Sequence, residues 1–472
     1  MKSHARLKVQ LHHENLPVMS ERDSKENRTR KMKHEGRTDD IPAPILKLPP
    51  EIMCIIFALV VFPIHDPWKS RFLMNNIVSV CSKWRLTAFA ASSFWNQIYF
   101  DFDRLSSSWT SGQTCDYLDA WRGRAQSRPL CVYFRGDMEN RLGTRTAAAL
   151  MQRFAPRVRD LQLELPFGRW KSHCFNSDVF KWTILERLAI WSPESDFAAL
   201  GDTFAVAPQL RDLHLSHHPL PWTSRFWKHL VRFSGGITSL QSCIEFLHKS
   251  ESLLECTLFF DYTHSQLPAN VSSVLHPSLC VLRLICLHEP TMDLVYALLY
   301  IMTLPALHTF ALEKVPADDC LIEFLSRHYL HLSSLSVDCA TVEALIPLSA
   351  LTRLTVTSVD WAFAAEFIQW FEDPHERFLP ALQYLTFGDF SPEDPAAEYE
   401  ALARGLCCRW QRHQDNGSDD VAALRLFHLE VQLDDAGELK FEDDIRLLTD
   451  LNLNGLEIRV ERFPDPTISI LS

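Results

Sequence analysis

Four groupings in this chain have residue types that could do chemistry. His12-His13-Glu14-Asn15 and His217-His218 offer imidazoles, and Cys407-Cys408 offers two thiols. Asp419-Asp420, Asp434-Asp435 and Asp443-Asp444 offer paired carboxylates. None has the spacing its chemistry needs. A zinc site on a helix wants histidines one turn apart, and a thiolate site wants C-x-x-C or a similar knuckle. Neighbours on an extended segment point to opposite faces, so His217 and His218 make a poor chelate. The acidic doublets sit among polar loop residues and read as solvated faces. A G-x-x-x-x-G-K-[ST] phosphate loop, a G-x-S-x-G nucleophile elbow and an H-E-x-x-H helix are all missing from the sequence. No catalytic residue, cofactor or metal ligand is assigned, and the chain reads as non-enzymatic.

Composition narrows the remaining classes. Only 14 of 472 residues are Gly, few for a dinucleotide or phosphate fold that needs tight turns and close backbone approach. A net charge of −12 disfavours a general nucleic-acid binder, which needs surplus Lys and Arg. The most apolar run, 52–64, is shorter than the ~20 residues of a membrane span. Thirteen scattered Cys and a polar N-terminal stretch suggest free thiols in a reducing compartment, cytoplasm or nucleus. With 47% hydrophobic residues the chain can build a large core, so what remains is recognition.

The elements that would carry recognition fall in two blocks. Residues 1–40 read as a disordered charged tail, with a basic run at 28–33. Prolines then lead into a helix starting near Pro50, where Glu51 suits the helix dipole. Ile52, Ile55, Ile56 and Leu59 follow at i, i+3, i+4 and i+7. Ile77, Val80, Cys81, Trp84 and Ala88 continue at helical spacing and read as one stripe on a second helix, with Cys81 buried and inert. Ser92 or Ser93 would cap a short third helix carrying Trp95. Three short helices sit near the lower limit for a self-sufficient core. Their surplus apolar surface implies a partner.

From Val158 a unit of the form L-x-x-L-x-L recurs eleven times, starting with "VRDLQL" at 158, "LERLAI" at 185 and "LRDLHL" at 210 and ending with "LTDLNL" at 448. Most starts are 24 to 31 residues apart, with two long gaps after Leu210 and Leu382. That spacing fits leucine-rich repeats. Each unit would give one strand with alternate residues inward, and "CLIEFLSRHY" (320–329) and "AAEFIQWFED" (364–373) read as return helices. The polar residue that usually follows the third Leu is mostly missing, so an irregular arc is expected.

"LPPEIMCIIF" (48–57) followed by "VCSKWRLTAFAASSFW" (80–95) resembles the F-box motif, in which Leu-Pro-x-Glu-Ile…Ile-Phe precedes Val-Cys-basic-x-Trp-basic. The segment between, with "FPIHDPWKSRFLMNN", is longer than in a compact F-box. It is similar to the F-box-like variant of many fungal proteins, often followed by irregular leucine-rich repeats. The resemblance implies an α/β chain with a three-helix F-box-like unit over 42–100, a connecting segment over 101–157 and an irregular leucine-rich-repeat solenoid of parallel strands over 158–472. It implies docking to the adaptor of an SCF-type cullin–RING ubiquitin ligase through Leu48, Pro49, Ile52, Ile56, Val80, Cys81 and Trp84. The repeats would bind a protein substrate. Candidate contacts between the inward positions are Trp191, His214, Phe259, Arg283, Glu313, Asp338 and His428, with Trp191 and Phe259 as aromatic anchors. A repeat scaffold whose helical unit does not dock the adaptor is the alternative. An enzyme would need a polar pocket with shifted pKa groups.

Overall fold

The computed structural model describes residues 47–462 apart from 62–66, 102–110, 137–150, 165–180, 192–203, 205–206, 220–226, 238, 261–272, 289–290, 317, 339, 374–376, 391–394, 417–421 and 432–455. The tail read over 1–40, His12–Asn15, the acidic doublets and the Leu448 unit lie outside the described residues.

Helices α1 (Pro50–Val61), α2 (Pro67–Val80) and α3 (Ser82–Ala90) open the described chain. Pro50 and Glu51 occupy the first turn of α1 as expected. Four expectations are corrected. The stripe from Ile77 to Ala88 spans two helices, because the backbone breaks at Cys81 into extended geometry (φ −157°, ψ 171°). Cys81 caps α3: its Sγ accepts the Trp84 N–H at 3.5 Å, satisfying one of the donors a helix start leaves free. It is half-buried, not core. The long segment after Phe57, to which no helix had been assigned, forms α2. The expected third helix capped by Ser92 or Ser93 is instead a single 3₁₀ turn, Ser92–Phe94, which starts from Ala91 with no side-chain cap. Trp95 follows it, buried, and donates its indole N–H to the Ala88 carbonyl at 2.8 Å.

The rest is α/β. Among the described residues fourteen strands form one all-parallel sheet: β1 (Gln97–Asp101), β2 (Leu130–Arg135), β3 (Val158–Glu164), β4 (Arg187–Trp191), β5 (Asp212–Pro219), β6 (Arg232–Ile237) and β7 (Glu255–Phe260) lead it. After the short β8 (Val274–Leu275) come β9 (Val281–Cys286), the short β10 (Met302–Thr303), β11 (Thr309–Glu313), β12 (Ser334–Val337) and β13 (Arg353–Val356). β14 (Tyr384–Phe390), β15 (Leu426–Val431) and β16 (Glu457–Arg462) complete it. Strand order follows the sequence throughout, and β8 and β10 pair only with each other. Sequential parallel pairing is what stacked repeat units produce.

Ten of the eleven L-x-x-L-x-L units are described, and each is a strand whose fourth and sixth positions are buried, such as Leu161 and Leu163 or Leu354 and Val356. The sheet starts earlier than the repeats do. β1 ends the stretch 42–100 and runs one residue past it, and β2 lies within 101–157, so the segment read as a connection carries a strand and helix α4 (Ser111–Arg124). The gap after Leu210 holds β6, a degraded unit with Gly235 and Gly236 in its middle. Return helices cross one face: α5 (Leu240–Lys249), α6 (Met292–Ile301), α7 (Asp319–His328), the single-turn α8 (Val342–Leu345) and α9 (Trp361–Glu372). The gap after Leu382 holds α10 (Pro395–Asn416), a return helix of 22 residues. One hydrophobic core runs from Met53 in α1 to Ile458 in β16.

Polar ties between successive units come from His and Arg near the helix ends. His276 shares a 2.9 Å hydrogen bond with the Ser250 carbonyl, and Arg327 donates to the carbonyls of Leu299, Tyr300 and Met302. His328, buried, accepts the Leu304 N–H through Nε2 at 2.9 Å while Nδ1 donates to the Phe324 carbonyl at 2.7 Å. That pattern requires a neutral ring. Burial, joined by the neighbouring Arg327 charge, holds the His328 pKa below the ordinary 6.5, against the pull of the Phe324 carbonyl. The folded state therefore binds fewer protons than the unfolded state just below pH 6.5. The stabilisation is complete above that value and is lost as pH falls through the folded pKa. Urea midpoints measured from pH 8 to 5 are expected to fall in this window, and His328→Gln to flatten that part of the profile.

Candidate functional site

Helix α1 is apolar on two adjoining faces, and they have different fates. Met53, Phe57 and Val61 are buried against Met74 and Ile77 of α2 and Ala88 of α3. The stripe read from spacing is the outward one: Ile52, Ile55 and Leu59 are 43%, 55% and 69% exposed. Val80 at the end of α2 is 59% exposed and Leu86 of α3 69%. Together with Val60 and Phe72 they make seven of the thirteen exposed large apolar residues among the described residues. Fully burying one such side chain is worth about 1.5–3 kcal/mol, so a cluster left open on three short helices marks a contact surface.

The sequence-predicted residues divide over this unit. Pro49 is exposed, and its carbonyl accepts the Met53 N–H at 3.1 Å, starting α1. Leu48 and Ile56 are half-buried at the margin, and the Leu48 carbonyl accepts the Lys83 ammonium at 3.2 Å, joining the start of α1 to α3. Ile52 and Val80 lie open. Trp84 turns inward: its ring packs on Phe57 at 5.0 Å and its buried indole N–H has no hydrogen-bond partner. Trp84 and Cys81 therefore position the face more than they form it. Ile55 and Leu59 sat on the stripe without being singled out, whereas Leu86 lies off any periodic stripe.

A second surface is the sheet face away from the helices. Register carries one row across all fourteen strands, including Tyr99, Tyr133, Gln162, Ala189, His214 and Ser234. It continues through Thr257, Arg283, Ala311, Ser336, Thr355, Thr386, His428 and Arg459. His214, Arg283 and His428 thus share one row. Trp191 lies one step along and packs at a tilt on His214 with ring centroids 5.4 Å apart. Phe259, Ile285 and Glu313 are aligned in the same neighbouring position. Trp191 and Phe259 are half-buried and Arg283 exposed. His428 Nδ1 lies 3.8 Å from the Glu430 carboxylate.

Asp338 is placed differently. Its carboxylate accepts the Lys314 N–H at 2.7 Å and the Thr357 hydroxyl. Lys314 has φ 60°, a left-handed conformation that costs a non-glycine residue about 1–2 kcal/mol, and Asp338 holds that turn. Asp338→Ala is expected to cost about 1–3 kcal/mol in a denaturant titration by stranding the Lys314 amide, with Asp338→Asn retaining part of it.

Sequence reasoning passed over two features of this face. Tyr99 and Tyr133 pack at a tilt with ring centroids 6.0 Å apart, and Tyr133 donates to the Glu164 carboxylate. Burial is the main cause that pushes the Tyr99 phenol up to about 12. At the strand starts Asp160, Arg187, Asp212 and Arg232 alternate in charge, with contacts of 3.2, 3.2 and 3.9 Å. Neither β1 nor β2 carries the leucine spacing, and the charge ladder appears only in register. A cleft of about 370 Å³ opens beside this face between the ends of β9, β11, β12 and β13, with Cys286, Met292, Val315 and Asp338 in its wall. Among the described residues no His, Cys, Asp and Glu group could hold a metal ion, and no helix is long and apolar enough to cross a membrane.

No protein-family model and no curated protein matches this chain. The functional reading rests on the residues themselves.

Proposed function

We propose that this chain is a substrate-recognition subunit of an SCF-type cullin–RING E3 ubiquitin ligase. Its F-box-like helices dock the adaptor, and the open face of a leucine-rich-repeat sheet binds a protein substrate in the cytoplasm or nucleus. The observation that carries the reading is the division of α1: Met53, Phe57 and Val61 close the unit's own core, while Ile52, Ile55 and Leu59 stay open beside Val80. A three-helix unit that served only as its own core would have little reason to leave these residues in water. The F-box motif resembles the same stretch. Pro49, Ile52, Ile55, Leu59 and Val80 are the proposed adaptor contacts, with Leu48 and Ile56 at the margin and Cys81 and Trp84 setting the helix geometry.

On the substrate side, the Trp191–His214 and Phe259–Ile285 pairs are the anchors, with Arg283, Glu313 and His428 around them. Half-buried aromatics surrounded by polar groups are typical of contact hot spots. The role is recruitment, with no bond made or broken by this chain. Co-purification of the SCF adaptor with the tagged full chain tests the proposal. A repeat scaffold without ligase function would bring down no adaptor.

A further inference from the structure

The segments that feed β2 and β3 gather arginines, and their contacts run through all four. Arg122 lies in the last turn of α4, and Arg128 lies just ahead of β2. Arg153 lies ahead of the 3₁₀ turn Ala155–Arg157, which Arg157 closes at the entry to β3. Arg122 and Arg153 share the Asp119 carboxylate at 3.5 and 2.7 Å, and Arg122 also donates to the Arg153 carbonyl at 3.4 Å. Arg157 donates to the Arg128 carbonyl at 3.0 Å, and Arg128 to the Ser92 hydroxyl at 2.8 Å. Arg157 and Arg122 are close enough to repel: burial first, then the Arg122 charge, hold the Arg157 pKa below the ordinary arginine value. Four guanidiniums from three segments meet one carboxylate.

The end of α4 favours a cation through the helix dipole, which accounts for Arg122 and not for three more arginines brought from the strand entries. Asp116, one turn earlier on α4, and Glu186, ahead of β4, are exposed, and neither pairs with the four among the described residues. In a chain of net charge −12 such a local surplus runs against the average. Donors are left over as well. Each guanidinium carries five N–H groups, and the four together make four hydrogen bonds. Arg157 Nε is buried with no hydrogen-bond partner. Both terminal nitrogens of Arg128 are without one among the described residues, and Arg128 and Arg153 are exposed.

We propose that this arginine cluster binds the phosphoryl group of a small soluble phosphate ester. A carboxylate offers one charge and one pair of oxygens, whereas a phosphoryl group offers up to about two charges and three strong acceptor oxygens. Planar guanidinium forks match those oxygens two at a time and can approach from several sides. A nucleic acid would need a basic stripe that continues over the surface. Here the neighbouring strand starts alternate in sign, through Asp160, Arg187, Asp212 and Arg232. A bound anion would relieve the repulsion and fasten α4 and the Ser92 turn to the entries of β2 and β3. The cluster shares no residue with the proposed adaptor or substrate faces, so the inference stands apart from the ligase reading.

Titration calorimetry of the full chain with pyrophosphate tests the site, in magnesium-free buffer with ionic strength held constant by sodium chloride. One-to-one binding is expected, with inorganic phosphate competing for it. Arg128→Gln with Arg153→Gln is expected to weaken the binding by about tenfold or more. Asp119→Asn removes the one carboxylate and is expected to tighten it by about threefold or more. A cluster that only braced the fold would show neither change. Circular dichroism melts without anion verify the fold of each variant. Should the double variant fail to fold, Arg153→Gln alone, whose side chain has one contact to lose, is expected to weaken binding by about threefold or more.

Absence of pyrophosphate binding, equal binding by the double variant, or an Asp119→Asn chain that binds no more tightly overturns the proposal. Pelleting with phosphatidylcholine vesicles containing phosphatidic acid, lost in the double variant and without pyrophosphate binding, overturns it in favour of a lipid headgroup. Single-stranded RNA held more tightly than pyrophosphate, and lost in the double variant, overturns it in favour of nucleic acid. Adaptor co-purification by the double variant is expected to be unchanged, which separates this test from the ligase reading.

Discussion

Ile55→Asp combined with Val80→Asp is expected to abolish adaptor binding and to leave the melting curve of the chain where it was. Both side chains are more than half exposed in the free chain, at 55% and 59%. Aspartate there stays hydrated and costs the fold little. In the complex the same positions would be desolvated. Two apolar contacts of about 1.5 kcal/mol or more each would be lost, and two carboxylates would be buried without partners. A total of about 4 kcal/mol is roughly a thousandfold in Kd, enough to empty a pull-down. The contrast is Phe57→Ala. Phe57 is buried against Trp84 and Phe94 at 5.0 and 6.4 Å, so this change is expected to cost about 3–5 kcal/mol of fold stability. Titration calorimetry and thermal melts of the two variants separate a lost contact from a lost fold.

The second large effect is expected at Arg409, in the repeats. Arg409 of α10 is buried, and its guanidinium donates to the carbonyls of Phe378 at 2.8 Å and Leu379 at 2.6 Å, with Pro380 at 3.4 Å and the Phe371 ring 5.1 Å away. One side chain therefore satisfies the chain leading into β14 and fastens α10 to α9. Arg409→Ala would strand those carbonyls and open a cavity, at about 1–3 kcal/mol for the polar loss and a further packing term. A drop of about 3–5 kcal/mol in urea denaturation is expected. Arg409→Lys keeps the charge without the planar fork and is expected to recover only part of it.

The repeat strands were legible because leucine at the first, fourth and sixth positions reports both the turn before a strand and its inward face. β1, β2, β6 and β16 escaped because Ile98 and Phe100, Val132 and Phe134, Phe233, and Ile458 do the same inward work without leucine spacing. Periodicity reports the phase of a helix and is silent on breaks, so the Cys81 cap passed as mid-helix. Pro67 is the first residue of α2, where a missing N–H costs nothing.

The site was legible in part. The stripe of Ile52, Ile55, Ile56 and Leu59 was correctly seen, but α1 is apolar on two faces, and only packing tells which is open. Trp84 and Asp338 have the right types for recognition, and their geometry gives them to Phe57 and to the Lys314 turn. The charge ladder depends on register between distant segments, which no local pattern carries.

The most direct test of the docking face is hydrogen–deuterium exchange on the full chain, with and without a saturating amount of purified SCF adaptor. The account predicts a one-to-one complex with slowed exchange confined to the amides of α1, the end of α2 and the start of α3. Failure to form a complex, or protection that falls on the repeats and leaves α1 untouched, would contradict it.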